Sequence, residues 1–403
     1  MDSGVFFLFV VIACVGAGYF ASDIMRLVRD LIEQRRSKHR FFYQGIKDLL
    51  ENKSDEAVDT FIESLAVNQA TFDIHLALAN FLRTRGEFDR AIRIHKNLRD
   101  QPSMPSDKRF EVECELGRDF LKAGLLDRAE EIFNRLVSQA DTPLHVMDRV
   151  ELSLIELFED TSDWQRAKAV AQQRFDRSRY VNDSSEAERA LALMCQYECE
   201  LYLSSTSMCD SDASEQLIAL LAAAEQHDAK SLRPKLLRFS HYLNEKLFSD
   251  ALDELESGVD CESCHVKEFA QRSFEALRVL PKAELSRLYN LQLRLYETKP
   301  SISGLALIAK IIELLEDGPK AVDFVLAELP RFKNLGATAE LLLLVRSRVA
   351  VNDQKAYQSV RAVLERLAEE QLNYQCYQCG MSLKNMHWRC PSCKGWSTIS
   401  QTC

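Results

Sequence analysis

The chain has 403 residues, 46% of them hydrophobic and 28% charged, a globular composition with room for two or three units, which excludes intrinsic disorder. Its net charge of −10 excludes a broad nucleic-acid-binding surface, because neutralising phosphates takes clustered Lys and Arg. Twelve cysteines, scattered apart from one terminal cluster, are not the framework of a small secreted disulfide domain and fit a reducing compartment.

The N-terminus opens on an uncharged apolar run from Val5 to Ala21, bounded by Asp2 and Asp23. As a helix it reaches about 25 Å, at the short end of what spans a bilayer. A cleaved signal peptide would carry a positive segment ahead of the run, and only Met1 to Gly4 precede it. Residues 1–22 therefore read as a single transmembrane anchor. Residues 23–40 read as a basic juxtamembrane helix, with Arg26, Arg29, Arg35, Arg36, Lys38 and Arg40. That asymmetry predicts that everything downstream lies in the cytoplasm.

From residue 41 to 370 the pattern predicts an all-α array. The clearest unit runs from Leu116-Gly117 through Phe120, Gly124 and Ala129 to Phe133, and matches the tetratricopeptide repeat. Small Gly117 and Ala129 let two helices approach, while Phe120 and Phe133 are expected to fill the groove between neighbouring repeats. Gly45, Ala57 and Phe61 mark a preceding unit, Gly86 and Ala91 a second, and Leu154, Phe158 and Ala167 one that follows. The equivalent alanines Ala57, Ala91, Ala129 and Ala167 are 34 to 38 residues apart. Repeats are thus clear over 41–175 and degenerate over 180–370, where Tyr242, Ala251 and Leu255 suggest one unit and Ala321 with Val325 another. Turns are expected at Asn182–Glu186 and through the polar segment 204–213, and a further soft boundary at Lys299–Ser303. Stacked pairs of this kind form a solenoid with a concave binding surface.

No nucleotide, zinc-protease or serine-hydrolase motif occurs, so catalysis has no visible seat. Cys261-Glu-Ser-Cys264-His265 has the form of a haem-attachment motif, but the charge asymmetry puts it on the wrong side of a membrane, and a structural reading is preferred over a second metal site. Cys195 and Cys199, one turn apart, read as small core residues.

Residues 371–403 hold the strongest chemical signal. Cys376-Tyr-Gln-Cys379-Gly380 and Cys390-Pro-Ser-Cys393 offer four thiolates to one tetrahedral ion, in a segment too small to fold without a staple. Gly380 and the Pro391-Ser392 step supply turn chemistry. All four positions are protein ligands, which makes the site structural; zinc is the default, and a rubredoxin-type iron suits the same ligands. Lys384, Arg389 and Lys394 give this segment only a thin basic face.

The N-terminal anchor, the segments NFLRTRGEFDRAIRIHKNL and LGRDFLKAGLLDRAEEIFNRL, and the terminal CYQCG…WRCPSCKGWSTI together resemble the lipopolysaccharide assembly protein B family of Gram-negative bacteria. The likeness is most specific over residues 76–136 and 374–399. It implies a tetratricopeptide solenoid with one transmembrane helix and a rubredoxin-like module docked on the repeats, binding one metal ion through Cys376, Cys379, Cys390 and Cys393. It further implies a non-enzymatic adaptor on the cytoplasmic side of the inner membrane. Such an adaptor promotes degradation of the LpxC deacetylase by the protease FtsH alongside other lipopolysaccharide assembly proteins, with no nucleic-acid partner. Trp388 and Trp396 are the expected docking residues. The alternatives are a general envelope-assembly scaffold without a protease link, and a rubredoxin-like redox protein.

Overall fold

The computed structural model describes residues 71–102, 104–206, 214–258, 266–316, 318–328, 331 and 374–401. The expected anchor, the basic run, the repeat marked by Gly45, Ala57 and Phe61, and the Cys261–His265 motif lie outside the described residues. Among the described residues no helix is long and apolar enough to cross a membrane.

Fourteen helices occur among the described residues: α1 (Phe72–Thr84), α2 (Phe88–Arg99), α3 (Ser106–Lys122), α4 (Leu126–Ser138), α5 (Leu144–Asp160), α6 (Trp164–Val181), α7 (Ser184–Thr206), α8 (Ser214–His227), α9 (Arg233–Asn244), α10 (Phe248–Gly258), α11 (Val266–Ala276), α12 (Lys282–Thr298), α13 (Ile302–Leu315) and α14 (Gly318–Glu328). Three short strands follow, β1 (Tyr374–Cys376), β2 (Ser382–Leu383) and β3 (Ile399–Gln401). The contacts divide the chain into two compact units, one ending at Leu157 and the other beginning at Phe158.

In the first unit, α1 with α2 and α3 with α4 form helix hairpins closed by the same device. Gly86 and Gly124 take φ of +83° and +75°, a left-handed conformation that costs a glycine little. The next N–H reaches back past the turn, Glu87 to the Leu82 carbonyl at 3.0 Å and Leu125 to the Phe120 carbonyl at 2.9 Å, so carbonyls left open at the helix end are satisfied. Behind each turn Ala91 and Ala129 are fully buried. On α4, Ala129, Ile132, Phe133 and Leu136 make one buried stripe at helical spacing. Gly117 has a packing role: a Cβ there would lie 2.5 Å from the Phe133 ring. Phe133 therefore fills the space inside its own hairpin, where the sequence had suggested a groove between neighbours. Phe120 is also buried, with Lys96 and Arg128 over its ring at 5.7 and 5.8 Å.

Charge is also buried in this unit. Glu115 and Asp119 are inaccessible to solvent. Arg83 pairs with both, at 2.6 and 2.9 Å, Arg149 and Arg118 pair with Glu115, and His95 Nδ1 meets Asp119 at 2.5 Å. Carboxylates this far from water persist only when paired in this way.

The second unit repeats the hairpin device with different residues. Ser162, between α5 and α6, and Lys246, between α9 and α10, take φ of +57° and +61°. Asp163 and Leu247 then donate back to the Phe158 and Tyr242 carbonyls at 2.8 and 2.9 Å. Ala167 and Ala251 follow each turn by five residues, as Ala91 and Ala129 do, and both are fully buried. Helix starts are set by side chains: Asp163 accepts from Arg166 N–H at 3.2 Å and Ser301 from Gly304 N–H at 3.1 Å. Asn182, at φ +58°, ends α6. The polar stretch expected to turn from residue 204 begins inside α7, which continues to Thr206. Cys195 and Cys199 are core residues, packed with Tyr202, Leu217 and Leu221. Leu236, Phe239, Leu252 and Leu288 belong to a larger core, and Tyr296, Leu305, Ala321 and Val325 to a third cluster.

The three strands form one antiparallel sheet, ordered β2-β1-β3, with Tyr374 opposite both Leu383 and Gln401 and Cys376 opposite Ile399. It belongs to the second unit and positions the cysteine pairs.

Candidate metal centre and its docking face

Each cysteine pair sits on a tight turn. The Gly380 N–H donates to the Cys376 carbonyl at 2.8 Å, and the Lys394 N–H donates to the Cys390 carbonyl at 2.9 Å. Gly380 has φ +75° and Lys394 φ +59°. The two turns are thus equivalent, but the second has a lysine where the first has glycine, and the Pro391-Ser392 step sits within it. Gly395 is crowded, since a Cβ would meet Thr398 Cγ2 at 2.9 Å and Gln378 Oε1 besides.

These turns bring the four sulfurs within 4.8 Å of one another. Cys376 and Cys393 are 3.7 Å apart at Sγ, and Cys379 and Cys390 are 3.8 Å apart. Tetrahedral Zn–S bonds of about 2.3 Å require sulfurs separated by about 3.8 Å, so the donor set fits a single ion. Iron held by four thiolates demands the same arrangement. All four cysteines are free of disulfides; Cys376 and Cys390 are buried and Cys379 is exposed.

The surroundings treat the thiols unequally. The Thr398 hydroxyl, 3.3 Å from Cys376 Sγ, holds that thiol down to about 6. The Gly395 backbone N–H pulls Cys393 down, but burial and the neighbouring thiols outweigh it and push Cys393 up to about 11. A divalent cation held by these residues would supply the charge that keeps all four as thiolates.

The ribbon is seated on the helices of its own unit through groups far away in sequence. Glu159, at the end of α5, is 7% exposed. Its Oε1 accepts from Tyr197 Oη at 2.7 Å and Trp396 Nε1 at 2.6 Å, and its Oε2 from Arg389 at 2.8 Å. Asp160 takes Lys394 Nζ at 2.6 and 2.7 Å. Burial, reinforced by the Glu159 carboxylate, pushes the Tyr197 phenol up, so it stays a donor. Trp396 meets Trp164 and Tyr197 edge-on at 6.1 and 6.2 Å. Arg233, first residue of α9, lies 5.7 Å from the Trp388 ring and 5.5 Å from that of Trp396. At the other edge, buried Glu268 accepts from the Tyr374 hydroxyl.

Trp388 and Trp396 therefore occupy the docking face expected of them. Glu159, Asp160, Trp164, Tyr197, Arg233 and Glu268 are functional residues that sequence reasoning missed. Their signal, carboxylates and aromatics at helix ends, is ordinary until the ribbon is placed against them. Arg389 and Lys394, the larger part of the thin basic face, are engaged with Glu159 and Asp160.

Residues 374–401 match the family model described as a rubredoxin metal binding domain. Lipopolysaccharide assembly protein B of Escherichia coli (strain K12) is 28% identical over 364 residues, covering 89% of this chain and 88% of that protein. The protein of the same name from Haemophilus influenzae is 23% identical over 413 residues, covering 98% and 96%. A tetratricopeptide repeat protein of Parabacteroides merdae aligns with 68% of this chain and 99% of its own, at 12% identity and a TM-score of 0.34. The chain is a relative of the lipopolysaccharide assembly protein B proteins, similar to them through its helical repeats and its terminal metal ribbon alike.

Proposed function

We propose that this protein is a non-enzymatic adaptor in the regulation of lipopolysaccharide biosynthesis, held at the inner membrane by residues 1–22, with its helices and ribbon in the cytoplasm. In this reading it promotes FtsH-dependent proteolysis of the LpxC deacetylase. The observation that carries it is sequence likeness to lipopolysaccharide assembly protein B over 89% of the chain, joined to a four-cysteine ribbon seated on the helices. Helical repeats supply a binding surface. A tether confines that surface to the membrane plane, which raises its effective concentration for partners confined there.

The ribbon's part in this is structural. Cys376, Cys379, Cys390 and Cys393 hold one ion, with no open coordination position for a substrate; zinc is our assignment. Arg389 and Trp396 then present their donors to Glu159, and the ribbon becomes a fixed part of the helical surface. The redox alternative needs iron, which metal analysis and visible absorption of the purified chain distinguish from colourless zinc.

Depletion of the protein in its host should lengthen the lifetime of LpxC and raise lipopolysaccharide levels. Crosslinking in membranes should capture FtsH. An unchanged LpxC lifetime would sink the protease reading, and capture of envelope enzymes without the protease would favour a general scaffold.

A further inference from the structure

The ribbon does not close against the helices along its whole edge. Between ribbon residues Lys384–Trp388, the first turn of α9 and one face of α11 lies a cleft of about 330 Å³, at the small end of the range of ligand sites. Its lining inverts the charge of the molecule. Arg233, Lys267, Arg272 and Lys384 face Glu268 and Glu275 there, four cations against two anions, in a chain whose net charge is −10.

Both carboxylates are already engaged. Glu268 accepts from Tyr374, and Glu275 pairs with Arg272 at 3.0 Å. Lys267 rests over the Tyr374 ring at 5.4 Å. Lys384 is exposed and has no ion pair among the described residues. Arg233 is 3% exposed. Its two terminal nitrogens donate to Gln196 at 3.0 Å and Glu200 at 2.5 Å, while its Nε–H is buried with no hydrogen-bond partner. That nitrogen is closed to solvent and the Arg233 charge is met by Glu200, so the cations the cleft offers a ligand are Lys267 and Lys384, neither of which makes an ion pair among the described residues. Trp388, Tyr374 and Met386 add apolar wall.

We infer that this cleft binds a phosphorylated ligand, whose phosphoryl oxygens take the ammonium groups of Lys267 and Lys384. A phosphomonoester suits it better than a single carboxylate, because its dianion matches the two lysine charges and its three oxygens can meet both ammonium groups at once. The group attached to the phosphate lies against Trp388 and Tyr374. The chemistry is shared by a soluble phosphomonoester and by phosphatidic acid, the phospholipid whose headgroup is itself a phosphomonoester. The site is separate from the adaptor role and stands without it.

The test uses the full chain, with metal bound, titrated with inorganic phosphate, with glycerol 3-phosphate and with phosphatidylcholine vesicles with or without phosphatidic acid. Tryptophan emission, which includes Trp388 at the cleft, is the readout. Saturable binding should appear with a dissociation constant near 1 mM or tighter, and should weaken about tenfold in Lys384→Ala and in Lys267→Ala, the loss of one charged hydrogen bond. Lys384→Arg should retain affinity within about twofold, because it keeps the charge and the donors. Binding of the soluble ester identifies a soluble source. Binding of phosphatidic acid vesicles alone, with the same sensitivity to Lys384→Ala, identifies a headgroup. Either supports the site. Absence of saturable binding to every probe up to about 10 mM, binding indifferent to both lysine substitutions, or an acidic peptide that binds at the cleft while phosphate fails to compete would overturn it.

Discussion

Replacing Glu159 by Gln should release the ribbon from the helices. The side chain is 7% exposed and accepts three hydrogen bonds, from Tyr197 and Trp396 on one oxygen and Arg389 on the other. Glutamine offers one acceptor and one donor, so in either orientation an amide N–H opposes an existing donor. If the amide faces Arg389, the guanidinium keeps only Asp160 at 3.5 Å. If it faces the other way, Tyr197 and Trp396 both lose their acceptor. Breaking a buried pair by removing one partner costs about 3–5 kcal/mol. Arg389 is 22% exposed and retains a second carboxylate, so the low end applies. About 3 kcal/mol corresponds to roughly a hundredfold shift toward the undocked ribbon. Asp160→Asn is the control: its pair with Lys394 is 30% and 43% exposed and should contribute less than about 1 kcal/mol. The chain has three tryptophans, and Trp164, Trp388 and Trp396 all stand at this junction, so intrinsic emission reports docking directly. Glu159→Gln should shift emission to the red and lower the unfolding midpoint, and Asp160→Asn should do little. An emission maximum and midpoint equal to the parent's, or no larger a shift than the control's, would refute the reasoning.

Cys390→Ser should lower the metal content of the purified chain and loosen residues 374–401 while far-ultraviolet circular dichroism still reports the helices; parental stoichiometry and melting would rule out a structural ion. Gly117→Ala drives a methyl to 2.5 Å from the Phe133 ring and should cost about 1–3 kcal/mol by denaturant titration, whereas Gly124→Ala meets nothing within 4 Å and should cost only about 1–2 kcal/mol, from its left-handed backbone. Burial raises the Glu268 carboxyl above the usual range, although the Tyr374 hydrogen bond lowers it. The folded chain therefore holds a proton that the unfolded chain has lost, and stability from this group falls as pH rises from the ordinary carboxylate range through the raised value. Glu268→Gln should flatten that slope in pH-dependent melting, and an unchanged slope would assign it elsewhere.

The repeats were legible where the turn needed glycine and the sequence supplied it, at Gly86 and Gly124. The signal weakened at Ser162, inside the span read as clear, and faded at Lys246, although the backbone at both makes the same left-handed turn and the same return hydrogen bond. What persists is the alanine five residues on, since Ala91, Ala129, Ala167 and Ala251 are all fully buried. The conformation outlasts its usual residue because the hairpin fixes it from both sides. The four cysteines were legible for a different reason: spacing alone constrains ligand geometry, and the second turn forms with Lys394 in the place of glycine. The docking face could not be read in the same way. Glu159 and Arg389 are 230 residues apart, and nothing local distinguishes a carboxylate that will be buried by a distant segment from one at any solvated helix end.

Arg389 and Lys394 flank the second cysteine pair, Cys390 and Cys393, and these same two residues hold the carboxylates of α5. Ion binding and seating of the ribbon therefore draw on one ordered loop, and reciprocity makes each strengthen the other by the same factor. The helices are in this sense a remote part of the ion's affinity. A chelator should strip the Glu159→Gln chain at a lower concentration than the parent, and any partner that pries the ribbon from α5 will loosen an ion that it never touches.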